Sequence, residues 1–477
     1  MAFIYYDIFF LILFISATAL FLYTHRKNLK RQGILYLYRT GIGLKFIEST
    51  TKKYSNLLRR SQYIVVTCGY ILMILITIMI VKFSYSYLTS PDIARELRIP
   101  VIMPLIPYID SLFNLDFLPP FYFTYWIIII AVIAIPHEFF HGIFARLNNI
   151  KVHSTGFGFL GPFLAAFVEP DEKQMSKAKK FPQLAILASG TFANILATIL
   201  FIIFIWVFFA LAFSPQGVFF SSYSGEVIPI SGISMVMGVP FYGTSLPENF
   251  ENNSIINLTS NGKTYFTTNT AISQAIEKDA LAIFAYEDAP AFKAGLSGAI
   301  VSIDGVKTSS YEDLKNILEK KSPGDNINII TYTKEGEKEF NIQLAEKNGK
   351  AFLGIGRIDV SMLQRRGLIS SLSMKFYTLL DPLKSAQYID GIYYKSLIGD
   401  FGMFIYNLLW WLVVINLSVA LVNMLPLGIF DGGRFFLLTI WGITGSKRVG
   451  EIAFRISTWI FLILIVLLMV KWLLIFV

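Results

Sequence analysis

Six stretches of this sequence stay apolar for long enough to cross the hydrocarbon core of a bilayer, which takes about 20 helical residues. They run over residues 3–23, 63–81, 121–147, 184–213, 403–425 and 453–477. Nothing else constrains the fold as strongly, because backbone groups in lipid must be satisfied within helices or closed barrels. Composition agrees: 55% of the 477 residues are hydrophobic and 15% are charged, against roughly 25% charged in soluble domains. A single soluble globule and a disordered chain are both excluded. Cys68 is the one cysteine, which removes an intramolecular disulfide, a CxxC pair and a cysteine-based zinc ribbon.

The net charge of +9 would suit a nucleic-acid partner, but its placement argues against one. Between Thr24 and Ser61 stand ten Lys or Arg against one acid, Glu48. A short basic loop beside two spans belongs in the cytoplasm by the positive-inside rule, and topology alone accounts for it. The first span lacks a basic leader and runs straight into His25-Arg26-Lys27, so it reads as an anchor and not as a cleavable signal. Strict alternation then places 148–183 in the cytoplasm, 214–402 outside, and the chain after Asp431 inside again.

Composition shifts near Ser214, where charged residues, Gly and Asn replace the Phe, Ile and Leu runs. From Ala299 the pattern predicts a strand, the turn Asp304-Gly305, a helix over 311–320, an alternating strand over 327–332, a hairpin tip at Lys334-Glu335-Gly336 and a strand over 339–344. The run APAFKAGL, then GAIVSIDGVKTSSYEDLKNIL, then PGDNINIITYTKEGEKEFNIQL resembles a PDZ domain of the bacterial protease type. That implies a groove that accepts an extended peptide by strand addition. Leu353-Gly354-Ile355-Gly356 is similar to the carboxylate-binding loop of such domains. Residues 224–284 fit the pattern poorly, and Asn252-Asn253-Ser254 and Asn257-Leu258-Thr259 are glycosylation sequons on the outer side.

The third span carries Pro136-His137-Glu138-Phe139-Phe140-His141, an HExxH motif. Residues four apart share one helix face, so both imidazoles can hold one Zn²⁺, with Glu138 beside them as general base. Two of the chain's four histidines are here. A carboxylate and two imidazoles in an apolar span cost several kcal/mol unless paired or functional, which favours a working site over a polar seam. Such a site needs a third protein ligand. Glu169, Asp171 and Glu172 are candidates downstream. Asp431, in the run NMLPLGIFDGG, is the better one, because spans three and five run in the same direction and bring His137, His141 and Asp431 to one depth.

HExxH in one span and NxxPxxxxDG in a later one resemble the site-2 protease family of intramembrane zinc metalloproteases, and the PDZ-like insert resembles its bacterial and archaeal members. The resemblance covers 121–213, the insert and 403–436. It implies Zn²⁺ held by His137, His141 and Asp431, with Glu138 as catalytic base. Gly190 and Asn194 match the family's small-xxx-Asn pattern, implying that Asn194 binds substrate or a developing oxyanion, while an interhelical hydrogen bond is the other reading. Asn423 matches a residue facing the substrate backbone. The stretch 153–170, rich in Gly, corresponds to a membrane-embedded β structure beside the active site. Phe140 and Phe430 depart from the family, which has a small residue and Leu there.

The expected fold is therefore a polytopic α-helical membrane protein of about six transmembrane helices, with an α+β PDZ-like domain between helices four and five. The expected divisions are 1–120 (two spans with a basic loop), 121–213 (first half of the catalytic core), 214–360 (outer domain), 361–402 (linker), 403–436 (second half of the core) and 437–477 (last span). The implied activity is hydrolysis of peptide bonds in or near transmembrane segments of single-span substrates in the bilayer. The alternatives are a catalytically silent scaffold that holds partners through the PDZ-like domain, and a zinc transporter or sensor. A transporter would want several ionisable sites in series, which the spans do not show.

Overall fold

The computed structural model describes residues 3–33, 35–89, 105–113, 118–160, 163–220, 222–242, 254–277, 280–333, 336–356, 388–389 and 392–474. The chain divides into a helical unit, Met1–Phe208 with Phe404–Val477, and a β-rich unit, Phe209–Met403. Most of the 361–402 linker, the sequon at Asn252 and the hairpin tip at Lys334-Glu335 lie outside the described residues.

The longer helices are α1 (Phe3–Thr24), α2 (Leu44–Lys53), α3 (Ser55–Thr89), α4 (Phe123–Leu147), α5 (Lys180–Ala212), α6 (Gly399–Asn423), α7 (Asp431–Thr444) and α8 (Lys447–Leu473). Six of them, all but α2 and α7, are long and apolar enough to span a membrane, as the sequence predicts. Their apolar residues run all the way round, the mark of a helix solvated by lipid. Phe9, Leu13 and Leu20 of α1 and Trp459 of α8 accordingly stand exposed.

Two features went unread in the sequence. The basic loop after α1 is not merely a loop: it forms the hairpin β1 (Leu29–Gln32) and β2 (Leu35–Thr40), then α2. The hairpin adds to β3 (Val152–Leu160) and β4 (Phe163–Pro170) in one antiparallel sheet of order β1-β2-β3-β4. Gly156 of β3 permits this, since a Cβ there would strike the Tyr38 carbonyl and come within 2.7 Å of the Phe167 ring. The second feature is α7, which begins at Asp431 itself, so the span after it starts at Lys447 and not at 453.

Small residues let the helices of this unit approach closely. A Cβ at Gly69 of α3 would lie 2.9 Å from Ala188 of α5. One at Gly142 of α4 would lie 2.8 Å from Ile47 of α2 and 3.0 Å from Val168 of β4. Around these contacts sits a core that includes Ile47, Val65, Phe144, Ala185, Met424 and Phe435. At the other end of α4, Asp7 of α1 is buried. Its carboxylate accepts from the backbone N–H groups of Phe123 (2.6 Å) and Thr124 (2.9 Å), the Thr124 hydroxyl and the Tyr108 hydroxyl (2.7 Å). It caps the helix that bears HExxH, where orphan N–H groups and the helix dipole both favour an anion.

The β-rich unit has two cores. One sheet orders Gly225–Pro229, Ala282–Glu287, Lys263–Thr268, Ile255–Ser260, Ile233–Val236 and Val239–Pro240, and closes over Ile228, Ile256, Leu258 and Ile272. This is the segment that matches the PDZ pattern poorly, and it folds as a sheet of its own. The second core gathers Val218, Ile300, Leu314, Ile327 and Ile329. Here Ala299–Ile303, the helix Tyr311–Glu319, Asn326–Thr333 and Gly336–Gln343 stand where the sequence predicts them. Asp304 and Gly305 both take positive φ (48° and 78°), the two-residue turn that matches strand twist. Ile355–Gly356 pairs with Ser222–Tyr223.

Candidate metal centre

His137 lies ten residues before the end of α4, and Gly190 lies ten residues after the start of α5. Each is therefore about 15 Å from that end of its helix, at 1.5 Å per residue. Asp431 arrives at the same place by a break in the chain. After Asn423 the backbone leaves the helix through Pro426 and Gly428, with tight turns such as Leu427 N–H to the Leu425 carbonyl (2.7 Å), and re-enters one at Asp431. Gly432 and Gly433 allow the fold-back, because side chains there would strike the Met424 and Leu427 carbonyls. Irregular backbone at membrane depth requires partners from neighbouring protein. Ser457 of α8 supplies one, donating to the Pro426 carbonyl (3.0 Å).

The three side chains converge. His137 Nε2 and His141 Nε2 are 3.1 Å apart, and they stand 3.4 Å and 3.3 Å from Asp431 Oδ2. Among the described residues this is the group of histidines and acids arranged to hold a metal ion. Zinc bonds nitrogen and oxygen at about 2.0–2.1 Å in a tetrahedron, whose edges are then about 3.3 Å, so the donor spacing fits that ion. The neighbouring helix fits too. A Cβ at Gly190 would lie 2.6 Å from His137 Nε2 and nearer still to His141 Nε2; the hydrogen in its place keeps the space clear. Three protein ligands leave a fourth position open, the pattern of catalytic and not structural zinc.

Each imidazole is held on its far side. His141 Nδ1 faces the Ile186 carbonyl at 2.7 Å, and His137 Nδ1 faces the Asn194 amide at 3.2 Å. Glu138, next to His137 on α4, accepts the Val168 N–H through Oε2 (3.0 Å). Val168 lies on β4, an edge of the four-stranded sheet, so its outward N–H is available to the carboxylate. The Gly-rich stretch thus forms a hairpin that touches the HExxH helix.

The other nominated acids are engaged elsewhere. Glu169 pairs with Arg39 (2.7 and 2.9 Å), Asp171 with His153 (3.2 Å), and Glu172 with Arg434 (3.1 Å). Asn194 is fully buried. Asn423 is half-buried at the end of α6, with no side-chain hydrogen bond among the described residues. Phe140 stacks on Phe144, and Phe139 lies over Gly43 at the start of α2 and beside Phe46. The basic loop therefore packs on the metal-binding helix, a contact no pattern in the sequence announces.

Two histidines one turn apart on a spanning helix, with an aspartate from a broken later one, define a multi-pass membrane metalloprotein. Residues 125–467 match Peptidase family M50, and the chain belongs to that family, the site-2 proteases, with zinc as its metal. The match reaches into α8, beyond the 403–436 limit read from motifs. The chain is also similar to "Putative zinc metalloprotease FN1322" of Fusobacterium nucleatum subsp. nucleatum, 22% identical over 167 residues. That alignment takes in 31% of this chain and 49% of the relative, so the chain spans about half the length of the curated protein it matches.

Proposed function

We propose that this protein is a zinc metalloendopeptidase that hydrolyses peptide bonds in or beside the membrane-spanning segments of protein substrates. One observation carries the reading: His137, His141 and Asp431 place their donor atoms at zinc spacing inside apolar helices, with Glu138 adjacent. Zinc held there supplies a Lewis acid that polarises a carbonyl and acidifies water. Glu138 is the proton carrier. The Val168 N–H holds Oε2, and Oε1, which has no partner among the described residues, takes the proton from attacking water and returns it to the leaving amine. Asn423 is the candidate contact to the substrate backbone. Substrate must leave the helical state to be cut, since a helix hides its carbonyls.

The ten basic residues after α1 support a cytoplasmic side for the metal centre and an outer side for the β-rich unit. The PDZ-like domain, 214–360, would then bind or exclude substrates by their outer portions. The divisions at 120, 213, 360, 402 and 436 belong to this reading.

The test is purified protein in detergent or liposomes, wild type and Glu138→Gln, assayed for bound zinc and for cleavage of single-span substrates. Both should hold about one zinc, with cleavage falling by about 10²–10⁴ in the variant. If wild type holds zinc and no tested substrate is cut, the silent-scaffold reading gains. Absence of zinc from both proteins would overturn the ligand assignment.

A further inference from the structure

Ile186, Gly190 and Asn194 fall at every fourth position of α5, so they form one stripe along one face of that helix. All three meet the histidines. The Ile186 carbonyl takes His141 Nδ1, Gly190 makes room for both Nε2 atoms, and the Asn194 amide meets His137 Nδ1. A metal ligand presents a lone pair, and both Nε2 atoms point at Asp431 Oδ2. A neutral imidazole carries one N–H, so in each ring it must reside on Nδ1. For His141 the partner is a carbonyl, which can accept only.

His137 makes the stricter demand. Its Nδ1–H needs an acceptor, yet the amide nitrogen of Asn194 stands there at 3.2 Å while Asn194 Oδ1, fully buried, has no partner. A half-turn of the amide exchanges the two atoms at no change in shape. It places the orphan oxygen on His137 Nδ1 and leaves Nε2 free to ligate.

We propose that Asn194 is a positioning residue for the metal centre: its side-chain oxygen accepts from His137 Nδ1–H and locks the tautomer that binds zinc. The role differs from contact with substrate and from a bond that merely joins two helices. It rests on the metal assignment above, and the test separates the two failures.

Full-length protein is stripped of metal, then titrated with Zn²⁺ against a competing chelator and with Co²⁺ by its visible absorption. Three forms are compared: wild type, Asn194→Leu, which keeps the shape without an acceptor, and Asn194→Asp, which keeps the acceptor. Thermal unfolding of each metal-free form is measured beside them. Loss of an outer hydrogen bond to a ligating histidine weakens metal binding by about 10–100-fold. Asn194→Leu should show that loss and a changed Co²⁺ spectrum. Asn194→Asp should bind zinc at least as well as wild type, because a carboxylate is the stronger acceptor. Wild-type zinc affinity in Asn194→Leu would overturn the proposal, leaving substrate contact as the role of Asn194. Equal loss in both variants, tracking lower metal-free stability, would overturn it in favour of helix joining. A wild type that binds no zinc would bring down the metal assignment itself, and this proposal with it.

Discussion

The two units are held together by opposite means. In the β-rich unit the solvent is water, and burial of apolar area decides. Ile300, Ile303 and Ile329 are entirely hidden, and where φ is positive its turns mostly carry Gly or a short polar residue such as Asp304 or Asn261. In the helical unit the solvent is lipid, as apolar as a leucine side chain, so covering leucine gains little. Its helices leave Leu20, Ile203 and Trp459 exposed. What ties them is small residues that make room for side chains of the neighbouring elements, at Gly69, Gly142 and Gly190, and polar groups that find each other, such as Asp7 on the start of α4. The sensitive positions therefore differ in kind, large and apolar in one unit, small or polar in the other. The metal centre is built from the second vocabulary.

The sharpest way to break that contrast is to remove the same amount of side chain from both units. Ile329→Ala should cost about 2–5 kcal/mol, as for other fully buried aliphatic residues, read as a lower unfolding midpoint with faster amide exchange in the strands around it. Leu20→Ala on the exposed face of α1 should stay within about 0.5 kcal/mol in detergent or bilayer. Equal losses would mean that apolar burial governs both units alike.

A polar deletion should reverse the ranking. Asp7→Asn removes a charge that accepts four hydrogen bonds at 2.5 to 2.9 Å. Bonds to charged groups contribute about 1.5–3 kcal/mol each, and the amide retains part of them. A net loss of about 2 kcal/mol is expected, with faster exchange of the Phe123 and Thr124 amides. Unchanged exchange at those two amides would show that α1 does not fix the start of the HExxH helix.

The same division explains what was legible in the sequence. Spans announce themselves by length and hydropathy, and each was located to within a few residues except α3, whose ends extend further into polar sequence, and α8, which starts at Lys447 and not at 453. HExxH is local, so its geometry follows from helical spacing alone. Asp431 required topology as well. The hairpin β1–β2 and the helix α2 were hidden because their basic residues dominate any reading of that stretch, while the pairing of β2 with β3 spans more than a hundred residues. Asp7 passed unnoticed for a related reason. One carboxylate at the start of an apolar run looks like the edge of a span, and its partners at 108, 123 and 124 are visible only in three dimensions. The helix α7 was missed because two adjacent glycines at its start disfavour a helix by local propensity, whereas their missing side chains serve the approach of backbone to backbone.

The smallest effect expected lies at the seam where the six-stranded sheet of the β-rich unit meets the hairpin of Ala345–Lys347 and Lys350–Phe352. Glu287 accepts from Lys347 (2.6 and 2.8 Å) and from the Ser224 hydroxyl (2.6 Å), while its own N–H donates to the Ser224 carbonyl (2.9 Å). Burial by itself would push the carboxyl up, but the bonds from Lys347 and Ser224, with the lysine charge, outweigh it and hold the group below its ordinary value. A depressed carboxylate stabilises the fold at pH above its unfolded value of about 4.3, and that contribution fades as pH falls through the folded one. Because the lysine is exposed, the gain is less than about 1 kcal/mol and is screened by salt. Wild type should therefore unfold at slightly higher temperature than Glu287→Gln near neutral pH, and the gap should close in acid and in high salt. A gap that survives both would mean that Glu287 acts through shape and neutral hydrogen bonds. The seam would then resemble the polar joints of the helical unit more than a charged surface pair.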